Sequence, residues 1–230
     1  MVNNPESPDP APPAAPPAAP SDPIAAGLDE LPEALRRDLP ARWRQLRTAH
    51  PEDTAALCAD EALARSAPGV WAASEFVTAH CLRNGAGLGE IAAAVGRRWT
   101  PGELLAGADA LLNDAADEAE VMRALRLFRR REMLRIAWRD LAGWAVLEET
   151  LGHLSELAEV CIRAAADWVH RAMAEKHGEP RAADGTPQRL LVVAMGKLGG
   201  GELNFSSDID LVFLSPESGE TDGPRTLSNE

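Results

Sequence analysis

The sequence lacks tyrosine and has few aromatic residues of any kind. Aromatics make up 4% of its 230 residues (six Trp and four Phe), whereas hydrophobic residues together make up 45%. Alanine and leucine dominate this apolar content, and both residues favour the α-helix. We therefore predict a mainly helical chain whose core is built largely from aliphatic side chains.

Cysteine is also scarce, and no long apolar run is present. The three cysteines, Cys58, Cys81 and Cys161, are odd in number and far apart, so they fit neither a zinc site nor a disulfide framework. No apolar run approaches the ~20 residues that span a bilayer. The N-terminus is rich in proline and lacks the basic residues of a signal peptide. We expect a cytoplasmic protein with reduced thiols and no membrane partner.

Positive charge is in deficit, with 23 Lys and Arg against 36 Asp and Glu, which gives a formal net charge of -13. Such a chain repels phosphate backbones, so nucleic acid is not an expected partner. One segment, from Arg123 to Arg139, is instead rich in arginine. It is either a solvated helix face balanced by nearby acidic residues, or a helix that meets phosphate or an acidic partner. Its basic residues are Arg123, Arg126, Arg129, Arg130, Arg131, Arg135 and Arg139.

The sequence divides into three regions. Residues 1–27 form a Pro/Ala-rich tail that we predict to be disordered. Residues 28–185 have a helical pattern that is interrupted at prolines and glycines, including Pro68. The clearest predicted helices run from near Asp117 to Asp140 and along an apolar stripe from Trp144 to Ala172. The second of these should end at Gly178.

The third region, residues 186–230, changes character. Two short apolar runs, Arg189–Met195 and Ile209–Leu214, are predicted to be buried strands. Gly199 and Gly200 follow the first run, where glycine allows the backbone to turn sharply and to approach a phosphate closely. We predict a short helix from Glu202 to Phe205 after these glycines.

Two carboxylates, Asp208 and Asp210, flank Ile209 at the predicted start of the second strand. Alternation along a strand places both on one face, with Ile209 in the core. Adjacent carboxylates repel each other, and a hard cation such as Mg²⁺ or Mn²⁺ relieves that repulsion. We therefore predict that both are catalytic metal ligands.

Polar residues between the glycines and these carboxylates are candidate phosphate ligands. Ser206 and Ser207 either cap the local backbone or bind a phosphate oxygen. Lys197 either touches phosphate or ends the first strand in solvent, and the sequence favours neither alternative.

The segment Gly-Lys-Leu-Gly-Gly, followed by Glu-Leu-Asn-Phe-Ser-Ser-Asp-Ile-Asp-Leu, resembles the signature of the glutamine synthetase adenylyltransferase/adenylyl-removing enzymes. The arginine-rich segment Leu127–Leu141 resembles the helix that precedes that signature. This resemblance implies a mainly α chain that ends in the start of an α+β nucleotidyltransferase domain of the polymerase β-like superfamily. It also implies that Gly199, Gly200, Ser206 and Ser207 bind nucleotide phosphates.

The resemblance further implies an activity and partners. The chain is similar to the adenylyl-removing half of a bifunctional enzyme, in which phosphate attacks the AMP on a glutamine synthetase tyrosine and releases ADP, while the other half adds AMP from ATP. Glutamine synthetase, the PII signal protein and adenine nucleotide are the implied partners, in the control of nitrogen assimilation.

Two departures from the family pattern lead to further expectations: this sequence offers no convincing third carboxylate, and it lacks the family's second catalytic domain. Superfamily sites use a third carboxylate, and Glu217, Glu220 and Asp222 lie in a polar connection that suits none of them to that role. We expect a truncated catalytic domain that is inactive by itself. The alternatives are a uridylyltransferase-like enzyme that acts on PII, and a helical binding module without catalysis.

Overall fold

The computed structural model describes residues 22–84, 88–96, 100–112, 115–224 and 226–228. The predicted disordered tail lies outside the described residues up to residue 21. The first helices are α1 (Pro23–Glu30), α2 (Glu33–Arg36), α3 (Leu39–Ala49), α4 (Pro51–Ala59), α5 (Glu61–Ala73) and α6 (Glu75–Asn84). The remaining helices are α7 (Leu88–Val95), α8 (Pro101–Leu112), α9 (Glu118–Leu141), α10 (Leu147–His177) and α11 (Gly196–Gly199). Four short strands are β1 (Pro180–Ala182), β2 (Leu191–Ala194), β3 (Leu211–Leu214) and β4 (Gly219–Thr221).

The helical part begins earlier than the predicted boundary after residue 27. Pro23 occupies the first turn of α1, where the missing N–H of proline costs no hydrogen bond. Asp22 caps this helix, because its Oδ1 accepts from the Ala25 N–H at 3.0 Å. Its Oδ2 accepts from Trp43 Nε1 at 2.9 Å, which ties the start of the helical region to α3.

The prediction that Pro68 breaks a helix is wrong. Pro68 is buried inside α5, which continues to Ala73. A Cβ atom at Gly27 would lie 2.8 Å from Pro68 Cγ, so the missing side chain lets α1 approach the proline ring closely. Burial of that ring offsets the cost of proline within a helix.

A first hydrophobic core joins α1 and α3–α7 to the second half of α9. At its centre, three buried tryptophans are in contact. The ring centroids of Trp43 and Trp71 are 5.6 Å apart, and those of Trp71 and Trp138 are 6.3 Å apart with the rings nearly perpendicular. Trp138 Nε1 donates to Ser66 Oγ at 3.0 Å, so this polar atom is satisfied within the core.

The second core lies between α8, α9 and α10. The predicted helix from Asp117 is confirmed, with Asp117 as the N-cap of α9, and Gly178 ends α10 at φ 86° as predicted. The predicted start of the apolar stripe is wrong. Trp144 precedes α10, and Leu147 is 64% exposed because the first turn of α10 extends beyond the core.

The arginine-rich helix α9 divides into two parts. Its first half carries exposed arginines, as expected for a solvated face. Its second half is buried, which overturns that interpretation for Arg135 and Arg139. Arg135 Nε lies 2.8 Å from Glu132 Oε2, and burial lowers the pKa of the Arg135 guanidinium against the opposing effect of Glu132.

Arg139 connects three elements. Its Nη1 donates to the Val95 carbonyl at 3.2 Å, at the end of α7. Its Nη2 donates to Glu149 Oε1 at 2.9 Å in α10 and to the Trp144 carbonyl at 3.4 Å in the loop between α9 and α10. The side chain of Arg139 is 6% exposed and that of Glu149 is 16% exposed, so water screens this pair poorly.

The strands form two antiparallel pairs, β1 with β4 and β2 with β3. Both predicted strands near the glycines exist, but the prediction that they are buried is wrong: Val193 is 42% exposed and Phe213 is 59% exposed. Only one face of the β2–β3 hairpin packs on helices, with Ala194 and Leu211 against the second core.

The described cysteines are free thiols. Among the described residues, no helix is both long and apolar enough to cross a bilayer.

We predict that Arg139→Met destabilises the protein by about 3 kcal/mol, because it removes both the ion pair with the poorly exposed Glu149 carboxylate and the hydrogen bond to the Val95 carbonyl. The matched control is Arg65→Met. Arg65 pairs with Glu61 one helical turn away, and both side chains are largely exposed, at 77% and 85%. The control should change the free energy of unfolding by less than about 1 kcal/mol. Urea unfolding followed by circular dichroism measures both. Equal effects would show that Arg139 does not hold the helices together.

Candidate active site

The candidate site lies in the connection between β2 and β3. A single helical turn, α11, begins directly after β2, and the predicted helix at Glu202–Phe205 is absent, since that segment forms turns and extended backbone. Packing explains why the helical turn ends at the glycines and does not follow them. Leu198 and Leu203 are both buried in the second core, so the chain between them must turn back on itself. Gly201 makes this turn with φ +69°, a conformation that side chains with a Cβ rarely adopt.

Gly199 allows a close contact with the strand that precedes it. A Cβ atom at this position would lie 2.5 Å from the Ala194 carbonyl oxygen, at the end of β2. At Gly200, a Cβ atom would lie 3.0 Å from Glu202 Oε1, which is a flexible side-chain end. The structure therefore gives Gly199 a role in packing α11 against β2, while its predicted phosphate contact stays a prediction.

A buried hydrogen bond fixes the loop to α10. The Leu203 N–H donates to Ser155 Oγ at 3.1 Å. The Ser155 hydroxyl in turn donates to the Leu151 carbonyl at 2.9 Å. Ser155 did not emerge as a site residue from the sequence. The available signal was a serine among the aliphatic residues of a helix that is otherwise apolar on that side.

Asn204 organises the segment that follows and was likewise not predicted. Its Oδ1 accepts from the Ser207 hydroxyl at 2.6 Å, from the Ser206 N–H at 3.2 Å and from the Ser206 hydroxyl at 3.3 Å. Of the two alternatives for these serines, this geometry corresponds to capping of the local backbone.

The two aspartates precede β3, which begins at Leu211 rather than at Ile209. The Met195 N–H donates to the Asp210 carbonyl at 2.9 Å, so the backbone ladder continues past the strand end. Leu211 packs on the second core and Val212 is 41% exposed, so alternation places Asp210 on the open face of the hairpin. Ile209 is 43% exposed, so the prediction that it enters the core is wrong.

A cleft of about 280 Å³ lies between α9, α10 and the segment from Leu203 to Ile209. Its walls are mainly apolar. Its polar lining residues are Arg129, Asn204, Ser207 and Asp208. Asp210 and Lys197 do not line it, and Lys197 is exposed on α11.

Cys161 also lines this cleft from α10. Burial raises the pKa of its thiol to about 11, and the positive charge of Arg129 acts in the opposite direction.

The carboxylates of Asp208 and Asp210 are suited to a hard cation. Both side chains are exposed, and neither has a hydrogen bond or ion pair within the described part of the chain. The same residues contain no group of three or more His, Cys, Asp or Glu side chains arranged to hold a metal. Asp222 is engaged elsewhere, since its Oδ2 lies 2.5 Å from Arg181 Nε. Magnesium commonly uses one or two protein carboxylates together with water and substrate phosphates, and this pair fits that pattern.

A glycine-containing turn, two unpaired carboxylates and a neighbouring cleft with one cation define a candidate site for a metal ion and a phosphate ester. Comparison with known proteins supports this class. A sequence model for glutamate-ammonia ligase adenylyltransferase matches residues 64–230. The chain belongs to the glutamate-ammonia ligase adenylyltransferase family.

Curated relatives agree with the family match. The chain is 50% identical over 211 residues to the bifunctional glutamine synthetase adenylyltransferase/adenylyl-removing enzyme of Thioalkalivibrio sulfidiphilus, covering 90% of this chain and 21% of that protein. The proteins of the same name from Pseudomonas aeruginosa and Nitrosococcus oceani are 49% and 46% identical over 165 residues, which is 70% of this chain and 17% of each relative. The chain thus spans about a fifth of the length of these relatives.

We predict that Gly199→Ala destabilises the protein, because the new methyl group must displace the backbone at Ala194. The expected loss is about 1–3 kcal/mol. The control is Gly152→Ala in α10, where a Cβ meets nothing within 4 Å. That change should be neutral or stabilise by up to about 1 kcal/mol, since alanine favours the helix. Thermal unfolding of both variants is the measurement, and a Gly199→Ala variant as stable as the control would contradict the close contact.

Proposed function

We propose that residues 190–214 form the first half of a metal-dependent nucleotidyl-transfer site in a domain of polymerase β-like fold. The observation that carries the proposal is the pair of exposed carboxylates of Asp208 and Asp210, which lack partners among the described residues. They follow a glycine-containing turn that two buried leucines hold against the helices. The family match at residues 64–230 supports the same assignment.

The substrate is adenylylated glutamine synthetase, and the proposed reaction is removal of AMP by inorganic phosphate in the cytoplasm. A phosphate oxygen attacks the phosphorus of the AMP group, and the bond from that phosphorus to the tyrosine oxygen breaks. ADP leaves, and the tyrosine oxygen takes up a proton. The relatives are named for both adenylyl transfer and adenylyl removal. The choice of the adenylyl-removing half rests on the resemblance described for the sequence.

Each site residue has a defined task in this proposal. Asp208 and Asp210 would hold Mg²⁺ or Mn²⁺, and such an ion would supply neutralisation of the negative charge that develops during phosphoryl transfer. In the proposed site Gly199, Gly200 and Lys197 would contact the nucleotide phosphates, and the hydrogen bonds of Ser206 and Ser207 to Asn204 keep the turn in shape. Tyrosine has a pKa of about 10, so its oxygen is a feasible leaving group once its charge is neutralised.

PII has two separate roles among these hypotheses. It is a regulatory partner of the proposed enzyme, and it is the substrate in the uridylyltransferase alternative. The relatives are named for adenylyl chemistry on glutamine synthetase, which favours adenine nucleotide over the uridylyl alternative. PII stays a proposed regulatory partner. The binding-module alternative has one observation in its favour, since the described residues supply two carboxylates at the site and no group of three.

We predict that the chain binds Mn²⁺ through Asp208 and Asp210, and that ADP strengthens this binding by adding phosphate ligands. Asp208→Asn or Asp210→Asn should weaken Mn²⁺ binding by about tenfold or more, because each change removes one charged ligand. The control is Asp109→Asn, which removes an exposed carboxylate on α8. Titration followed by the electron paramagnetic resonance of free Mn²⁺ measures all three variants. Equal affinity in the variants and the unchanged chain would leave the binding-module alternative.

The direction of transfer is tested in an enzyme of the relatives' full length that carries this segment. Asp208→Asn should lower phosphate-dependent release of ADP from adenylylated glutamine synthetase by at least about a hundredfold, while ATP-dependent adenylylation continues. The reverse pattern would assign this site to the adenylylating reaction. The 230-residue chain by itself should release no ADP, and measurable release would contradict the need for a third carboxylate.

A further inference from the structure

Arg129 differs from three paired arginines that follow it on α9. Arg131 and Arg135 lie 3.2 Å and 2.8 Å from the Glu132 carboxylate, and Arg139 is paired with Glu149. Arg129 has no ion pair or hydrogen bond within the described part of the chain. In a chain with 36 acidic residues, a guanidinium without a carboxylate partner is available to an anion from outside.

Arg129 lies on the wall of the cleft beside the candidate site, so an anion that binds it would lie there. Among the described residues that line the cleft, it is the one with a cationic side chain, and Asp208 and Ser207 line the same cleft. The surrounding walls are aliphatic and aromatic, including Leu157 and Phe205. Apolar walls exclude water and strengthen the attraction between a guanidinium and an anion.

The turn itself offers phosphate few charged groups. The hydroxyls of Ser206 and Ser207 are bonded to Asn204, and Gly199 lies against β2. A phosphate carries up to two negative charges, and carboxylates beside it add repulsion. Lys197 on the turn does not line the cleft, so a phosphate bound there beside Asp208 needs a cation from another element in addition to the metal ion.

We propose that the cleft binds a phosphate group of the substrate, held by the Arg129 guanidinium beside Asp208. The planar guanidinium donates two parallel hydrogen bonds to a phosphate, which an ammonium group cannot do. The inference rests on the proposed function and extends it, because it assigns the phosphate-binding cation to the helical region. The phosphate belongs either to the attacking inorganic phosphate or to the adenine nucleotide.

Cys161 provides a readout that does not depend on catalysis. It lines the same cleft, whereas Cys58 lies in a separate surface cavity near Arg47 and Cys81 is buried. The rate of alkylation of each thiol by N-ethylmaleimide can be followed by mass spectrometry of the peptides. The measurement is made with EDTA present, at constant ionic strength, in inorganic phosphate, AMP or adenosine. Phosphate or AMP should slow alkylation of Cys161 severalfold without affecting Cys58.

Three variants assign the effect to the guanidinium. Arg129→Gln should raise the phosphate concentration needed for protection about tenfold, which corresponds to the loss of a charge-assisted hydrogen bond. Arg126→Gln removes an exposed arginine that does not line the cleft and should leave protection unchanged. Arg129→Lys should give an intermediate result. Protection is expressed as a ratio within each variant, because Arg129 itself influences the Cys161 thiol.

Each outcome has a defined meaning. Protection by inorganic phosphate identifies the attacking group as the ligand, and protection by AMP alone identifies the nucleotide phosphate. Equal protection by adenosine and AMP would overturn the proposal, since the cleft would then bind the nucleoside. Absence of protection, or equal loss in Arg129→Gln and Arg126→Gln, would overturn it as well. Because EDTA removes metal ions, protection can persist when Mn²⁺ binding fails, which separates this proposal from the proposed function.

Discussion

The contact on which the remaining structure depends is the one that Arg139 makes with Glu149, at 2.9 Å between Nη2 and Oε1. It joins the end of α9 to the beginning of α10, while Arg139 Nη1 reaches the Val95 carbonyl at the end of α7. The helix α9 belongs to both cores, with Leu134 and Trp138 in the first and Phe128 and Ile136 in the second. A helix that is apolar on two sides has little surface left for charge. The charged residues Glu132, Arg135 and Arg139 in the second half of α9 are therefore buried, and ion pairs stabilise them there.

The position of α10 determines the position of the candidate site. Ser155 accepts from the Leu203 N–H within the second core, and Leu198 fills that core from the other end of the turn. Asp208 and the cleft that it shares with Arg129 lie only a few residues beyond Leu203. The helical region thus contributes directly to the site, through Ser155 as a support and through Arg129 on the cleft wall. The end of the segment that carries Asp208 and Asp210 stays exposed to solvent.

The sequence predicted the features that depend on local patterns. The helix from Asp117, the end of α10 at Gly178 and the two strands near the glycines follow from caps, periodicity and apolar runs, and the structure contains them. Features that depend on tertiary packing were missed or wrong. Pro68 continues a helix because Gly27 leaves room for its ring. The burial of Arg135 and Arg139 depends on which face of α9 meets each core. The local sequence pattern predicts neither the continuation of α5 through Pro68 nor the burial of these two arginines.

The site shows the same division. Asp208 and Asp210 stood out because two carboxylates flank an apolar residue before an apolar run, and the structure leaves both without partners among the described residues. Ser155, Asn204 and Arg129 are distant from one another in the chain or lack a distinctive neighbour. Their relevance depends on the fold that brings α9, α10 and the turn together.

The Ser155–Leu203 hydrogen bond is the contact through which α10 fixes the candidate site. Hydrogen exchange of the Leu203 amide, measured by NMR in the unchanged protein and in Ser155→Ala, tests this most directly. The amide should exchange slowly in the unchanged protein and at least about tenfold faster in the variant, with the amides in the interior of α9 unaffected. A Leu203 amide that exchanges at the same rate in both proteins would contradict the account.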